Sequence, residues 1–243
     1  MGQIKKANEI SKIQEACRIT DRIFAKARRY IILKIATSSL HSSSQLQKLY
    51  SITEKELADF MYQQIASYEC KPSFPVIVAA WSNAAHPHWK PSNAKLKGFV
   101  VIDFGVIYQK YMSDMTRTIF VWQPTKDERK LYYRVLAAQK ASINYIHSWV
   151  YAKDAHRVAT EMLWSYKKYF IHSLGHGLWT KIHELPRISP KGKKILQKNM
   201  CITLEPGVYI PWKCGIRIED TSLVTHNECV QMTHSVKKLI CIT

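Results

Sequence analysis

Residues 99–120 read FVVIDFGVIYQKYMSDMTRTIF, and residues 201–220 read CITLEPGVYIPWKCGIRIED. Each stretch is a pair of apolar, β-branched runs separated by a short break, the pattern of paired strands. Acids interrupt all four runs: Asp103 and Asp114 in the first stretch, Glu205 and Glu219 in the second, which Asp220 closes. A carboxylate inside a buried strand is costly unless something positive is bound to it. His176, flanked by glycines in SLGHGL, lies between the two pairs. Four carboxylates and one imidazole form an oxygen-rich donor set that suits two hard or borderline divalent cations.

The chain around these stretches repeats an order. Apolar positions at Ile10, Ile13, Ala16, Cys17, Ile23 and Phe24 predict an amphipathic helix over 7–35. A polar run at 37–45 reads as a loop, and a second helix is expected near 53–68, with Ser51 and Glu54 as its capping box. A strand at 74–80, a polar loop at 82–97 and the first strand pair follow. Helices near 125–149 and 154–168 precede a histidine-bearing loop and the second strand pair. Pairing about 108–109 would set Asp103 opposite Asp114, and pairing about Trp212 would set Glu205 opposite Glu219. Like charges directly opposed on one sheet face are destabilising without a counter-ion. The expectation is one α+β domain over 1–243, built of two related helix–helix–hairpin halves that face each other across the acids.

Composition narrows the class. The 243 residues are 47% hydrophobic and 11% aromatic, which is folded rather than disordered. No apolar run approaches the roughly 18 residues needed to span a bilayer, and the polar start MGQIKKANEISKIQ is unlike a secretory signal. Gly2 suggests N-myristoylation, but Lys6 stands where that motif wants Ser or Thr. The six cysteines show neither CxxC nor zinc-finger spacing and suit a reducing compartment. A soluble, cytoplasmic protein with no membrane partner is expected. The net charge of +18 attracts nucleic acid non-specifically at most, because the basic residues are spread out and no recognition motif accompanies them. Glycine is scarce, 8 in 243 against an average of about 7%.

Three further histidines have a chemical rationale. His172 lies four residues before His176, His183 seven after it, and His88 fifteen before Asp103. Neutral imidazoles beside a reacting centre can donate to a developing oxyanion or pass protons to a leaving group.

With the motifs VIDFG, YMSDMTRT, GHG…HELPRI, LEPGVYIP and GIRIEDT in place, the chain resembles the pita-bread metallopeptidases, from about Ile10 to its C-terminus. That family includes methionine aminopeptidases, Xaa-Pro aminopeptidases and prolidases. The resemblance implies a pita-bread fold and a dinuclear centre ligated by Asp103, Asp114, His176, Glu205 and Glu219. Asp114 and Glu219 would bridge the ions, Asp103 would complete one, and His176 with Glu205 the other. The ions would be Mn2+, with Co2+, Fe2+ or Zn2+ as alternatives. Glu205 would move the proton, His88, His172 and His183 would bind substrate and shuttle protons, and Arg217 would orient the ligand carboxylates from behind.

SDMTRT, LEPGVYIP and the short separation of the two glutamates resemble the Xaa-Pro aminopeptidase branch. The expected activity is therefore release of an N-terminal residue that precedes proline. Prolidase or methionine aminopeptidase activity is the alternative, and a binding module with nucleic-acid affinity is the non-enzymatic one. The resemblance also allows a homodimer. It further implies that this chain begins directly at the catalytic domain, without the branch's N-terminal domain. Relative to the family, KLKGFVVID is slightly short, and glycines are replaced at Trp179 and at the turn Trp212-Lys213-Cys214. Both tryptophans are expected to flank and narrow the cleft.

Overall fold

The computed structural model describes residues 3–39 and 52–243. Helix α1 (Ala7–Ser39) is longer than its periodicity suggested. It buries Ile13, Ala16, Cys17, Thr20, Ile23, Phe24, Ala27 and Ile31, the i, i+3, i+4 stripe of an amphipathic helix. Helix α2 (Glu54–Ser67) starts from a capping box, but its members are Thr53 and Glu56. Thr53 Oγ1 accepts from the Glu56 amide at 3.1 Å, and the Glu56 carboxylate accepts from the Thr53 amide at 2.7 Å. Ser51 lies outside the described residues, and Glu54 is not a capping group. Its carboxylate is fully buried and turned inward.

Strands β1 (Lys71–Pro72), β2 (Ile77–Ala80), β3 (Gly98–Phe104), β4 (Val106–Tyr108), β5 (Tyr111–Met112) and β6 (Met115–Val121) make the first half. Helices α3 (Lys126–Tyr145) and α4 (Ala152–Met162) open the second, followed by β7 (Gly175–Gly177), β8 (Glu184–Ile188), β9 (Cys201–Leu204), β10 (Gly207–Ile210), β11 (Cys214–Arg217), β12 (Asp220–Val224), β13 (Cys229–Gln231) and β14 (Cys241–Ile242). The main sheets run β14-β6-β3-β2 and β13-β12-β9-β7-β8. Val100, Ile102 and Phe104 of β3 pack with Ala16, Ile23 and Leu57 from α1 and α2. Strand alternation turns Phe99, Val101 and Asp103 to the opposite face. In the second half Ala155 and Ala159 of α4 pack against Ile202, Leu204 and Val224. Each sheet thus has a helix pair on one face, which leaves the other face for the centre of the molecule.

Both hairpins break in the middle and resume in the same register. Leu204 pairs with Asp220 and Gly207 with Arg217, so the second hairpin pivots on Trp212, as expected, and aligns Glu205 with Glu219. In the first hairpin Asp103 pairs with Thr116, and Tyr108 with Tyr111. The pivot is the two-residue turn Gln109–Lys110, with φ of 47° and 78°. Positive φ at both central residues matches the twist of a tight hairpin. The expected direct opposition of Asp103 and Asp114 is therefore wrong by a one-residue shift of the pivot, and Asp114 falls two residues before Asp103's partner. The hairpins meet edge to edge: the Glu219 amide donates to the Thr116 carbonyl at 3.1 Å, and the Asp114 amide to Thr221 Oγ1 at 3.2 Å. Among the described residues no helix is long and apolar enough to cross a membrane.

Candidate functional site

The breaks in the two hairpins are where the acids gather. Asp114 precedes β6, Glu205 follows β9, and Glu219 sits between β11 and β12, while Asp103 lies within β3. His176 is the middle residue of β7. It is held by its own amide, which donates to Thr203 Oγ1 at 3.1 Å. Gly175 beside it allows a close approach, since a Cβ there would strike the Thr203 carbonyl. All five residues line a single cleft of about 1170 Å³, together with His88, His172, His183 and Arg217. Every site residue expected from sequence is thus brought to one place.

Three of them present donor atoms to a common point. One oxygen each from Asp114 and Glu219 and one nitrogen of His176 lie within 4.8 Å of one another. His176 Nδ1 is 3.1 Å from the Gly177 carbonyl, which can only accept, so the proton belongs on Nδ1. Burial pushes the His176 pKa down to about 4, so the ring is neutral at pH 7. Its Nε2 lone pair then faces Glu205 Oε1 at 3.4 Å and Asp114 Oδ2 at 3.6 Å. Acceptor facing acceptor is stable only with a proton or a cation between them. Asp103 Oδ1 is buried with no hydrogen-bond partner among the described residues. Burial first, then Asp103 and Glu205, drives the Asp114 pKa well up, and burial with Asp114 and Glu205 does the same to Glu219. Burial and Asp103 raise Glu205 to about 8 against the lowering influence of Arg217. Orphaned acceptors and mutually repelling carboxylates fit divalent cations better than they fit one another.

Behind the acids runs a continuous polar chain. Arg217 donates from Nη2 to Asp103 Oδ2 at 2.7 Å, from Nε to Thr116 Oγ1 at 3.0 Å and from Nη1 to the Tyr209 hydroxyl at 2.7 Å. Thr116 Oγ1 donates in turn to Glu219 Oε2 at 2.6 Å. The Tyr209 hydroxyl lies 2.9 Å from His172 Nε2, and His172 Nδ1 lies 2.7 Å from the Ser173 carbonyl. The carbonyl fixes the proton on Nδ1, so Tyr209 donates to Nε2. Burial, with Arg217 nearby, lowers the His172 pKa to about 4, in keeping with that tautomer. Both of its ring nitrogens are therefore engaged within the protein. His183, by contrast, is exposed in the cleft, with its ring centroid 4.4 Å from that of His176. Its pKa is lowered by partial burial and by His88 and Arg187.

Several contributors were missed in the sequence. Tyr209 and Thr116 carry hydrogen bonds that only the folded register creates. Arg187, paired with His176 across β7 and β8, is an exposed cation in the cleft. Glu54 accepts from the Ala80 amide (2.8 Å), Asn83 Nδ2 (3.0 Å), Trp89 Nε1 (2.9 Å), the Ser92 amide (3.0 Å) and Ser92 Oγ (2.7 Å). One buried carboxylate thereby ties down the segment that carries His88. The tryptophans differ from expectation. Trp212 is 89% exposed on a hairpin tip, and Trp179 packs against Tyr111. Neither lines the cleft, whereas Trp89 does.

Comparison with known proteins agrees with this arrangement. The pattern of metallopeptidase family M24 matches residues 11–226. An Xaa-Pro dipeptidase of Pyrococcus furiosus is 36% identical over 241 residues, which are 98% of this chain and 65% of that protein. The crystal structure of a prolidase from Thermococcus sibiricus superposes with a TM-score of 0.88 at 32% identity, over 99% of this chain and 62% of the other. An X-Pro aminopeptidase from Thermotoga maritima superposes at 0.87 with 30% identity, over 100% of this chain and 65% of the other. The chain spans somewhat less than two thirds of the length of these relatives. The paired hairpins, the helix pair on each sheet and the matched sequence make one statement: this chain has the pita-bread fold and belongs to metallopeptidase family M24.

Proposed function

We propose that the chain is a metal-dependent prolidase, hydrolysing the peptide bond of Xaa-Pro dipeptides. The observation that carries the hydrolase reading is the convergence of Asp114, His176 and Glu219 donors within 4.8 Å, in a cleft shared with Asp103, Glu205 and three histidines. Asp103, Asp114, His176, Glu205 and Glu219 would hold two divalent ions, Mn2+ foremost, with Co2+, Fe2+ or Zn2+ as alternatives. Such ions, when bound, supply Lewis acidity that polarises a scissile carbonyl and makes water a better nucleophile at neutral pH.

The chain's own groups do the rest. Glu205, lining the cleft beside the other acids, takes a proton from the attacking water and returns it to the proline nitrogen. His183, neutral and facing the cleft, donates to the oxygen of the tetrahedral carbon. His88, which also lines the cleft, holds the substrate. His172 has both nitrogens in use, so its part is to hold Tyr209 and thereby Arg217. Arg217 fixes Asp103 and, through Thr116, Glu219.

Two considerations favour the dipeptidase over the aminopeptidase first suggested by the motifs. Relatives at 34–36% identity carry the name Xaa-Pro dipeptidase. The cleft also presents Lys55, Lys90 and Arg187, cations suited to the free carboxylate that a dipeptide brings close to the scissile bond. The aminopeptidase keeps standing as a second reading because the Thermotoga maritima X-Pro aminopeptidase superposes equally well. A panel of Ala-Pro, Ala-Pro-Ala and Met-Ala-Ser, with Mn2+ supplied, separates the readings. Cleavage of Ala-Pro in preference to Ala-Pro-Ala supports the proposal. Preference for Ala-Pro-Ala gives the aminopeptidase, and cleavage of Met-Ala-Ser alone refutes both. RNA retention without any hydrolysis would instead mark a binding module.

A further inference from the structure

The backbone of the tryptophans is at odds with their side chains. Trp81, Trp122, Trp149, Trp164 and Trp212 have φ of 57°, 92°, 81°, 52° and 62°. A left-handed backbone crowds Cβ against the adjacent carbonyl, is uncommon for any side chain and is an outlier for a bulky one. Five of the chain's seven tryptophans adopt it. The same five are exposed by 44%, 72%, 69%, 67% and 89%, although an indole gains more from burial than almost any other side chain. They stand where chains turn: after β2, after β6, between α3 and α4, just past the C-cap of α4, and at the β10–β11 hairpin tip. The position after a helix C-cap and the tip of a tight hairpin are where glycine is favoured, because it alone enters the left-handed region without a steric cost.

Trp179 is a sixth misfit of another kind, since its indole Nε1 is buried with no hydrogen-bond partner among the described residues. Only Trp89 suits its surroundings, with an ordinary backbone and its Nε1 on Glu54. Glycine, meanwhile, is scarce, and Gly98 is the one glycine with positive φ among the described residues. A docking surface would explain exposed indoles, but it selects side chains and not φ. It also gives no reason for one tryptophan on each of five separate connections.

We propose that positions 81, 122, 149, 164, 179 and 212 are glycine in the protein as its own cell makes it, encoded by a codon that is not read there as tryptophan. UGA has this property, because genetic codes assign it variously to termination, tryptophan and glycine. Glycine at these positions removes the strain of five turns and the orphaned indole, and brings glycine to an ordinary share of the chain. Trp89 carries no such mark and lies outside the proposal.

Peptide mass spectrometry on protein purified from its source organism reads these residues directly. Glycine masses are expected at the six positions, and tryptophan masses there overturn the proposal. The gene makes the same demand: UGA at all six is expected, and UGG at them contradicts it. A folding readout is independent of the source. In protein made with tryptophan at these sites, Trp122→Gly and Trp212→Gly raise the midpoint of thermal unfolding above that of Trp122→Ala and Trp212→Ala. Alanine variants equal to or more stable than the glycine ones refute the demand for glycine at these turns.

Discussion

Arg217 and Asp103, far apart in sequence, meet 2.7 Å apart behind the acid cluster, while the other Asp103 oxygen is buried and has no hydrogen-bond partner among the described residues. The arginine neutralises one carboxylate oxygen and leaves its twin available to a cation in the cleft. Outer groups that orient ligands in this way typically change metal affinity by about 10–100-fold when removed. Arg217→Met is expected to weaken Mn2+ binding by roughly that factor, read by chelator competition. Arg217→Lys should recover only part of the loss, because a single ammonium cannot serve Asp103, Thr116 and Tyr209 at once. Full recovery by lysine would reduce the role of Arg217 to bulk charge.

The metal-free protein is expected to lose stability as pH rises. The carboxyl of Glu205 titrates at about 8 when folded against 4.5 in its ordinary state, and Asp114 and Glu219 are also raised. Between those values the folded state binds more protons than the unfolded one, so the unfolding free energy falls with pH. Asp220 has the opposite sign. Arg117 and Lys237 hold it low against its burial, so its contribution is lost only as pH falls below the ordinary carboxylate range. His172 and His176, held at about 4 when folded, oppose this below about pH 6.5, so denaturation midpoints in EDTA should decline from about pH 6.5 to pH 8. With Mn2+ bound the decline should vanish, because cations replace the protons. A flat profile in EDTA would mean that the acids do not repel one another.

Glu54→Ala strands five donors on the segment 80–92. At about 1–3 kcal/mol for each buried group left unsatisfied, and with some rescue by water, a loss of about 3 kcal/mol or more of unfolding free energy is expected. Since this segment carries His88, KM for the dipeptide should rise more than kcat falls. An unchanged KM in the folded variant would separate His88 from substrate binding.

Tyr209→Phe removes the donor that favours neutral His172. Losing a hydrogen bond to the neutral form raises the pKa, so the His172 ring signals should titrate above their present value of about 4 in NMR spectra. A titration left in place would mean that burial and the nearby Arg217 set it without Tyr209.

Much of this was legible in the chain. The four acids and His176 declared themselves because a carboxylate in an apolar strand demands a counter-charge, and the Trp212 pivot followed from the length of the second hairpin. The first pivot did not, because Gln109–Lys110 lacks the Asn-Gly type signal that normally marks a positive-φ turn. The capping box was misassigned for a related reason. Thr53 and Glu56 have the same spacing as Ser51 and Glu54, and only packing shows that Glu54 turns inward to the Ala80–Ser92 segment. Arg187, Tyr209 and Thr116 were illegible because their partners are distant in sequence and nothing local marks them.

The central claim is that the acid and histidine cluster holds divalent ions on which hydrolysis depends. Metal content and Ala-Pro turnover measured on the same samples of wild type, Asp114→Ala and His183→Ala test it most directly. Metal and turnover are expected in the wild type, loss of both in Asp114→Ala, and metal retained with turnover lost in His183→Ala. Full Ala-Pro hydrolysis by Asp114→Ala, or by wild type stripped of metal, would contradict it.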